Sequence, residues 1–169
     1  LIADFNGDTV KPLWGKRLVT TADSIVGGKS SVALSLSKSG FAQLNGEIKQ
    51  GFAYPWAGLQ FELNSASDLS KLKHLQFKAK GEMSTLYVML FQKGSYQPII
   101  QAVTLDNQWQ DYSIALSGFK NADLNNVTAL AWVAAQQPQA FAFAIDDNRI
   151  TLQRIFNLLT RIRHAGIGQ

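Results

Sequence analysis

Short stretches in which apolar and polar residues alternate recur along this chain, separated by clusters of Gly, Asn, Asp and Ser. Clear examples are residues 32–36, 59–63 and 75–79, where every second residue is apolar. Because successive side chains of a β-strand point to opposite faces, a period of two predicts a strand with one buried face. Many short strands joined by turn residues are typical of an all-β sandwich or barrel. We therefore predict an all-β sandwich.

Two further stretches are apolar on both faces of the predicted strand. Residues 86–91 read LYVMLF, and residues 130–135 read LAWVAA. Such strands lie in the centre of a sheet, or their second face is covered. In a binding module, a ligand groove can provide that cover.

The periodicity changes at Thr151, from two residues to the spacing of an amphipathic helix. The apolar positions of this pattern are Leu152, Ile155, Phe156, Leu159 and Ile162. Thr151 is a tolerable N-cap and Gly166 is a plausible stop. We predict a β-domain over residues 1–150 and a short C-terminal helix with its tail over residues 151–169. We expect this helix to dock on its own domain or to lead to a further domain. The alternative is that it touches a membrane surface, a partner or a second copy.

Composition excludes several classes of function. The 169 residues suffice for one domain with a sizeable core, and no apolar run approaches the roughly 20 residues that a membrane-spanning helix requires. The chain has no cysteine, so disulfides, thiolate zinc sites and a cysteine nucleophile are excluded. This absence is compatible with a periplasm and with a cytoplasm; we favour a periplasmic or extracellular location.

The net charge of +4 does not predict nucleic-acid binding. Four arginines lie between residues 149 and 164, where there is no acidic residue, so the rest of the chain is neutral (+4 − 4 = 0). A nucleic-acid site needs its positive charge to form a face. Here most of the excess belongs to one terminal segment, and we predict no nucleic-acid partner.

Several segments, in order, resemble a known family. They are residues 1–6 (LIADFN), 23–30 (DSIVGGKS), 41–48 (FAQLNGEI), 108–112 (QWQDY) and 144–150 (AIDDNRI). Together they resemble the complex I intermediate-associated protein 30 family, whose fold is a galactose-binding-like jelly roll. The resemblance covers roughly residues 1–150. It implies a galactose-binding-like jelly-roll β-sandwich, an architecture also similar to that of carbohydrate-binding modules.

The Gly-Gly-x-Ser segment has a structural interpretation. Gly27 and Gly28 supply a positive φ or a close backbone approach where a loop becomes a strand. Ser30 can bond to neighbouring amides. We favour this role over ligand binding, and no Lys-Ser/Thr pair follows to form a phosphate-binding loop.

The sequence offers little for catalysis. His74 and His164, the two histidines, are far apart in the predicted elements, which leaves a hydrolase triad or a histidine metal site without support. No serine lies in a nucleophile elbow. We therefore predict no catalytic residue and no enzyme activity.

The resemblance also suggests a structural calcium ion. In galactose-binding-like modules the first and last strands lie near each other and often share this ion, which takes six to eight oxygen ligands. The oxygen ligands here would be Asp4, Asn6, Asp146 and Asp147. The competing interpretation is that such residues are common in turns. No other cofactor is expected.

Aromatic residues give the better functional prediction, because sugar rings stack on flat side chains while polar neighbours bond their hydroxyls. The stacking candidates are Tyr54, Trp56, Tyr87 and Tyr96, and the polar candidates are Gln76, Lys78 and Gln92. Trp14, Trp109 and Trp132 are instead predicted to be core residues.

We accordingly predict a non-catalytic binding module for carbohydrate, accessory to an enzyme domain. The alternative is a protein-interaction or assembly factor, as the resemblance implies, with a protein partner. Fold alone does not choose between them.

Overall fold

The computed structural model of the protein describes residues 2–6 and 11–151. This part of the chain contains twelve β-strands, two 3₁₀ helices and no α-helix. The strands are β1 (Ala3–Asp4), β2 (Lys11–Pro12), β3 (Arg17–Ala22), β4 (Ser31–Leu36), β5 (Ala42–Ile48), β6 (Trp56–Ser67), β7 (His74–Gly81), β8 (Thr85–Gln92), β9 (Ile99–Thr104), β10 (Gln110–Ala115), β11 (Val127–Ala135) and β12 (Gln139–Thr151). The 3₁₀ helices are Asp23–Val26 and Leu116–Gly118. The all-β prediction is confirmed.

Ten of these strands form two five-stranded antiparallel sheets. The front sheet has the order β3-β6-β11-β8-β9, and the back sheet has the order β10-β7-β12-β5-β4. Strands β1 and β2 pair separately. Consecutive strands often lie in different sheets, so the chain crosses repeatedly between them as it does in a jelly roll.

The core lies between the sheets and follows the alternation of the sequence. Leu59 and Phe61 of β6 are fully buried, as are Leu75 and Phe77 of β7. Trp132 of β11 is also fully buried and meets the ring of Phe77 edge-on, with 6.0 Å between the ring centroids. Burial of side chains of this size contributes about 1.5–3 kcal/mol each to folding. These strands and the core position of Trp132 are as predicted.

The other two tryptophans that were predicted for the core, Trp14 and Trp109, differ from each other. Trp14 is partly buried and packs edge-on against Phe61 at 4.9 Å between centroids. Trp109 is 37% exposed, so its predicted core position is wrong. It precedes β10 at the edge of the back sheet, and its ring contacts Phe41 and Lys80 rather than the core. The distance between the Trp109 and Phe41 centroids is 5.2 Å.

The predicted C-terminal helix lies outside the described residues, except at its first position. Thr151 was predicted as the N-cap, yet it is the last residue of β12 and pairs with His74. The helical pattern beyond it and Gly166 are not among the residues that the structure describes. Within the described ranges, no helix has the length and apolar character to cross a membrane.

Candidate functional site

Strands β8 and β11 are apolar on both faces, and their second faces form a separate cluster on the outside of the front sheet. Sheet pairing places Ala131 opposite Met89, and Val133 opposite Tyr87. The buried members of this outer cluster are Met89, Ala131, Val133 and Ala135, over which Trp56, Tyr87 and Phe91 pack. A side chain that faces away from the core and is nevertheless buried needs such a cover, which here is aromatic.

An open groove of about 570 Å³ runs over this cluster. Its volume is in the range of small-molecule and cofactor sites in proteins. Trp56, Tyr87, Met89 and Phe91 form the floor. The loops before β6 and before β9 form the walls.

All four aromatic residues predicted to stack on sugars line this one groove: Tyr54, Trp56, Tyr87 and Tyr96. Trp56 and Tyr87 are half-buried on the floor, whereas Tyr54 and Tyr96 are exposed on the walls. Trp56 and Tyr87 lie on strands separated by β11 and pair with β11 residues two positions apart. This places them roughly 10 Å apart across the sheet and ~7 Å apart along it, so a ligand that contacts both must be longer than one sugar ring.

The position of Trp56 is fixed at two points. Its backbone N–H donates to Asp23 Oδ2 at 3.3 Å, and its indole Nε1 donates to Thr21 Oγ1 at 3.3 Å. Phe52 meets the indole edge-on, with 5.8 Å between centroids. Trp56, on one side of the groove floor, is therefore held in place without a ligand.

Asp23 and Ser30, at the two ends of the Gly-Gly segment, are joined in a buried contact. The Ser30 backbone N–H donates to Asp23 Oδ1 at 2.8 Å, and the Ser30 hydroxyl donates to Asp23 Oδ2 at 2.7 Å. Gly27 adopts a φ of 97°, and a Cβ on Gly28 would overlap the Asp23 carboxylate. The predicted structural role of these glycines and of the serine is confirmed.

The three polar candidates do not line the groove. Gln76 and Lys78 belong to β7 of the back sheet, where Gln76 is buried and Lys78 forms an ion pair with Asp147 at 3.3 Å. Gln92 lies at the end of β8, and its side-chain oxygen accepts a hydrogen bond from the backbone N–H of Asp123 at 2.8 Å. Alternation in the sequence placed Gln76 and Lys78 on the face of β7 opposite its core residues, but it did not show that β7 belongs to the back sheet.

The groove contains residues that the sequence reasoning missed. Gln97 and Gln136 provide polar groups at its wall, and Phe52 and Ile100 extend its apolar surface. Gln97 and Gln136 lie in loops, for which the sequence carries no signal of position. Met89 was identifiable, because it shares a face of β8 with Tyr87.

A cluster of polar side chains lies on the outer face of the front sheet, on its β3–β6 side. Arg17 donates two hydrogen bonds to Glu62, Nε to Oε2 at 2.7 Å and Nη2 to Oε1 at 3.1 Å. Gln60 Nε2 donates to the same carboxylate at 3.3 Å. The hydrogen bonds from Arg17 hold the pKa of Glu62 below its ordinary value, although partial burial acts in the opposite direction.

The residues proposed for calcium lie near the junction of the first and last strands. The backbone N–H of Ile2 donates to the backbone carbonyl oxygen of Asn148 in β12 at 2.6 Å, beside a bulge between Asp146 and Arg149. The Asp147 carboxylate there is already paired with Lys78 and Arg149, each at 3.3 Å.

These pairs make the site a poor fit for a cation. The side chain of Asp4 is outside what the structure describes, and Asn6 is exposed. Among the described residues, no group of three or more His, Cys, Asp or Glu side chains is placed to hold a metal. Calcium stays a prediction, which a fall in melting temperature on chelation would support and an unchanged melt would remove.

Within the described part of the chain, the groove is lined by apolar, aromatic and amide side chains and by no carboxylate, imidazole or ammonium group. His74 lies on β7 of the back sheet. The groove can therefore bind by stacking and hydrogen bonding, but it presents no acid–base pair to a substrate.

Comparison with solved structures shows the same fold in carbohydrate-binding modules. A family 11 module from Clostridium thermocellum, in complex with a β-1,3-1,4-mixed-linked tetrasaccharide, has a TM-score of 0.63 and 15% identity over 89% of this chain and 96% of its own. A family 29 module complexed with mannohexaose has a TM-score of 0.62 and 13% identity over 88% of each chain. A family 30 module of a cellulosomal cellulase from Clostridium thermocellum has a TM-score of 0.53 and 18% identity over 82% of this chain and 90% of its own.

The sequence comparisons define the family. A search of curated proteins found no match. The sequence comparisons do not show the complex I intermediate-associated protein 30 family. The assembly-factor alternative, which was derived from the resemblance to that family, stays a prediction. Residues 8–152 match the family described as carbohydrate binding domain 30. The match covers most of the chain, which therefore belongs to the carbohydrate binding domain 30 family and is a non-catalytic carbohydrate-binding module.

Proposed function

We propose that the groove on the front sheet is the glycan-binding site of this module, and that it holds an internal stretch of a neutral polysaccharide. The observation that carries this proposal is the convergence of Tyr54, Trp56, Tyr87 and Tyr96 on one open groove. Stacking of sugar C–H faces on these rings supplies affinity, and Gln97 and Gln136 can bond hydroxyls.

The chemistry of the groove favours a neutral ligand. No charged side chain among the described residues lines it, so an acidic sugar would lose water without gaining a cation. An open groove, in contrast to an enclosed pocket, lets a chain continue beyond both ends. The mixed-linked tetrasaccharide and mannohexaose of the two similar structures are neutral oligosaccharides, which supports the same class of ligand.

Affinity electrophoresis tests the proposal. The wild-type protein should be retarded in a native gel that contains soluble mixed-linkage β-glucan or glucomannan. Trp56→Ala and Tyr87→Ala should each weaken binding by about tenfold or more, the loss expected at the centre of an interface. Trp109→Ala is the matched control, because Trp109 is an exposed aromatic residue of the back sheet.

Retardation that survives in both groove variants and is lost in Trp109→Ala would move the site to the back sheet and refute the proposal. Thermal melts of each variant show whether a loss of binding reflects unfolding. We also propose that the module is accessory to an enzyme domain and keeps its polysaccharide nearby. Fusion of residues 1–151 to a β-glucanase should then increase hydrolysis of insoluble substrate, and the increase should disappear with Trp56→Ala.

A further inference from the structure

The buried carboxylate of Asp23 lies behind the groove and does not line it. Asp23 is fully buried and immediately follows β3, as the first residue of the 3₁₀ helix Asp23–Val26. A buried carboxylate is costly unless hydrogen bonds replace the water that it loses. Here three donors do so, and one of them is the backbone N–H of Trp56.

The three bonds connect separate segments of the chain. Among the described residues, Oδ1 accepts the Ser30 N–H, whereas Oδ2 accepts both the Ser30 hydroxyl and the Trp56 N–H. The Ser30 hydroxyl oxygen in turn accepts a hydrogen bond from the Lys49 N–H at 3.1 Å, just beyond β5. The carboxylate therefore ties the Asp23–Ser30 loop and the end of β5 to the first residue of β6.

Trp56 is the residue at which this network meets the groove. Thr21 bonds the indole Nε1 and so limits rotation of the ring, whereas Asp23 bonds the backbone and so fixes the point from which the side chain leaves β6. Gly28 permits the arrangement, because a Cβ at that position would occupy the space of the carboxylate.

We propose that Asp23 is a positioning residue for glycan binding: it has no contact with the ligand, and it determines affinity by placing Trp56. This inference rests on the proposed function of the groove. A purely structural Asp23 would stabilise the fold without any selective effect on Trp56.

The variant Asp23→Asn separates these roles. Asparagine has the same size and keeps one oxygen for the Ser30 N–H, but its amide NH₂ then faces the Trp56 N–H, and two donors cannot bond each other. We expect one hydrogen bond to be lost at Trp56. Affinity for soluble β-glucan should fall by up to about fivefold, because the free energy of one hydrogen bond is the most that this bond can contribute to holding Trp56 in its binding position.

A measurement without ligand keeps this test independent of the proposed function. Protein labelled with 5-fluorotryptophan has four ¹⁹F resonances, one for each tryptophan of the sequence. The resonance of Trp56 is assigned by its absence in Trp56→Phe. In ligand-free Asp23→Asn, that resonance should shift or broaden while those of Trp14, Trp109 and Trp132 stay in place.

The outcomes are distinct. An unchanged Trp56 resonance overturns the positioning role, whatever the affinity. A shifted resonance with unchanged affinity also overturns it if Trp56→Ala loses binding. If Trp56→Ala binds like the wild type, it is the proposed site that fails. If Asp23→Asn does not fold, Ser30→Ala provides the test by the same resonance, because it removes the hydroxyl bond to Oδ2 and keeps the carboxylate. A smaller selective shift of the Trp56 resonance supports the positioning role, and the absence of a shift refutes it.

Discussion

A single methyl group added at Gly58 should destabilise the protein strongly. Gly58 lies in β6 and pairs with Val133 of β11. A Cβ at this position would lie 2.7 Å from the Val133 Cα and 3.0 Å from the Trp132 carbonyl carbon, and it would overlap the Trp132 carbonyl oxygen. These are backbone atoms of a strand that is paired on both sides, so they can yield only if the ladder shifts.

The magnitude follows from the cost of overpacking. Extra methyl groups in well-packed regions cost about 1–3 kcal/mol. For a domain of this size, each kcal/mol lowers the melting temperature by about 2–4 °C. We therefore expect Gly58→Ala to lower the melting temperature by roughly 2–12 °C.

Gly118→Ala is the matched control. Neither Gly58 nor Gly118 has a positive φ, but the added Cβ at Gly118 would meet the tip of the Gln101 side chain at 2.6 Å, and a side chain can move. Calorimetry of both variants at neutral pH is the assay. If Gly58→Ala melts within a degree of the wild type, or if Gly118→Ala loses as much, the steric argument is refuted.

Further predictions concern the core and the titration of two carboxyls. Trp132→Ala should cost about 3–5 kcal/mol in urea denaturation, and a loss below about 1 kcal/mol would contradict the packing of Trp132 between the sheets. Arg17 lowers the pKa of Glu62, so the stability gained there is present above the unfolded carboxyl's pKa and is lost as the pH falls through the lower folded value. The gap in melting temperature between wild type and Glu62→Gln should therefore close on acidification, and a constant gap would argue against the ion pair. Burial raises the pKa of Asp146, so its contribution to the pH dependence of stability has the opposite sign. Because ionised Asp146 is destabilising, Asp146→Asn should be more stable than the wild type at pH 7, and this advantage should vanish in acid. A less stable variant at pH 7 would show that desolvation of Asp146 does not dominate.

The fold was predictable because alternation is a local property of the sequence. A strand such as β6 carries its burial pattern in its own residues, and Leu59 and Phe61 are buried as the pattern predicts. Trp109 shows the limit of this reasoning. Its ring is as apolar as that of Trp132, but its exposure depends on its position at the edge of a sheet, which the sequence does not state.

The site was predictable only in part, for a related reason. Trp56 and Tyr87 are aromatic residues on the faces of their strands opposite the core residues, and this much is visible in the sequence. Their proximity depends on the insertion of β11 between β6 and β8, which brings together segments far apart in the chain. The same sheet order places β7 in the other sheet, which removes Gln76 and Lys78 from the groove.

The apolar second faces of β8 and β11 explain why a groove forms at this place. Ala131 and Val133 face away from the core, yet both are fully buried, because the larger side chains of neighbouring strands lean over them. Larger residues on β11 would lift Trp56 and Tyr87 and fill the groove. The floor is therefore assembled before any ligand arrives, so binding need not bear the entropy cost of ordering it. The tyrosines of the walls are exposed, so binding restricts their side chains, but a tyrosine side chain has few rotatable bonds to restrict. Affinity should accordingly depend most on the floor, where small residues beneath aromatic ones convert an apolar sheet face into a surface of defined shape.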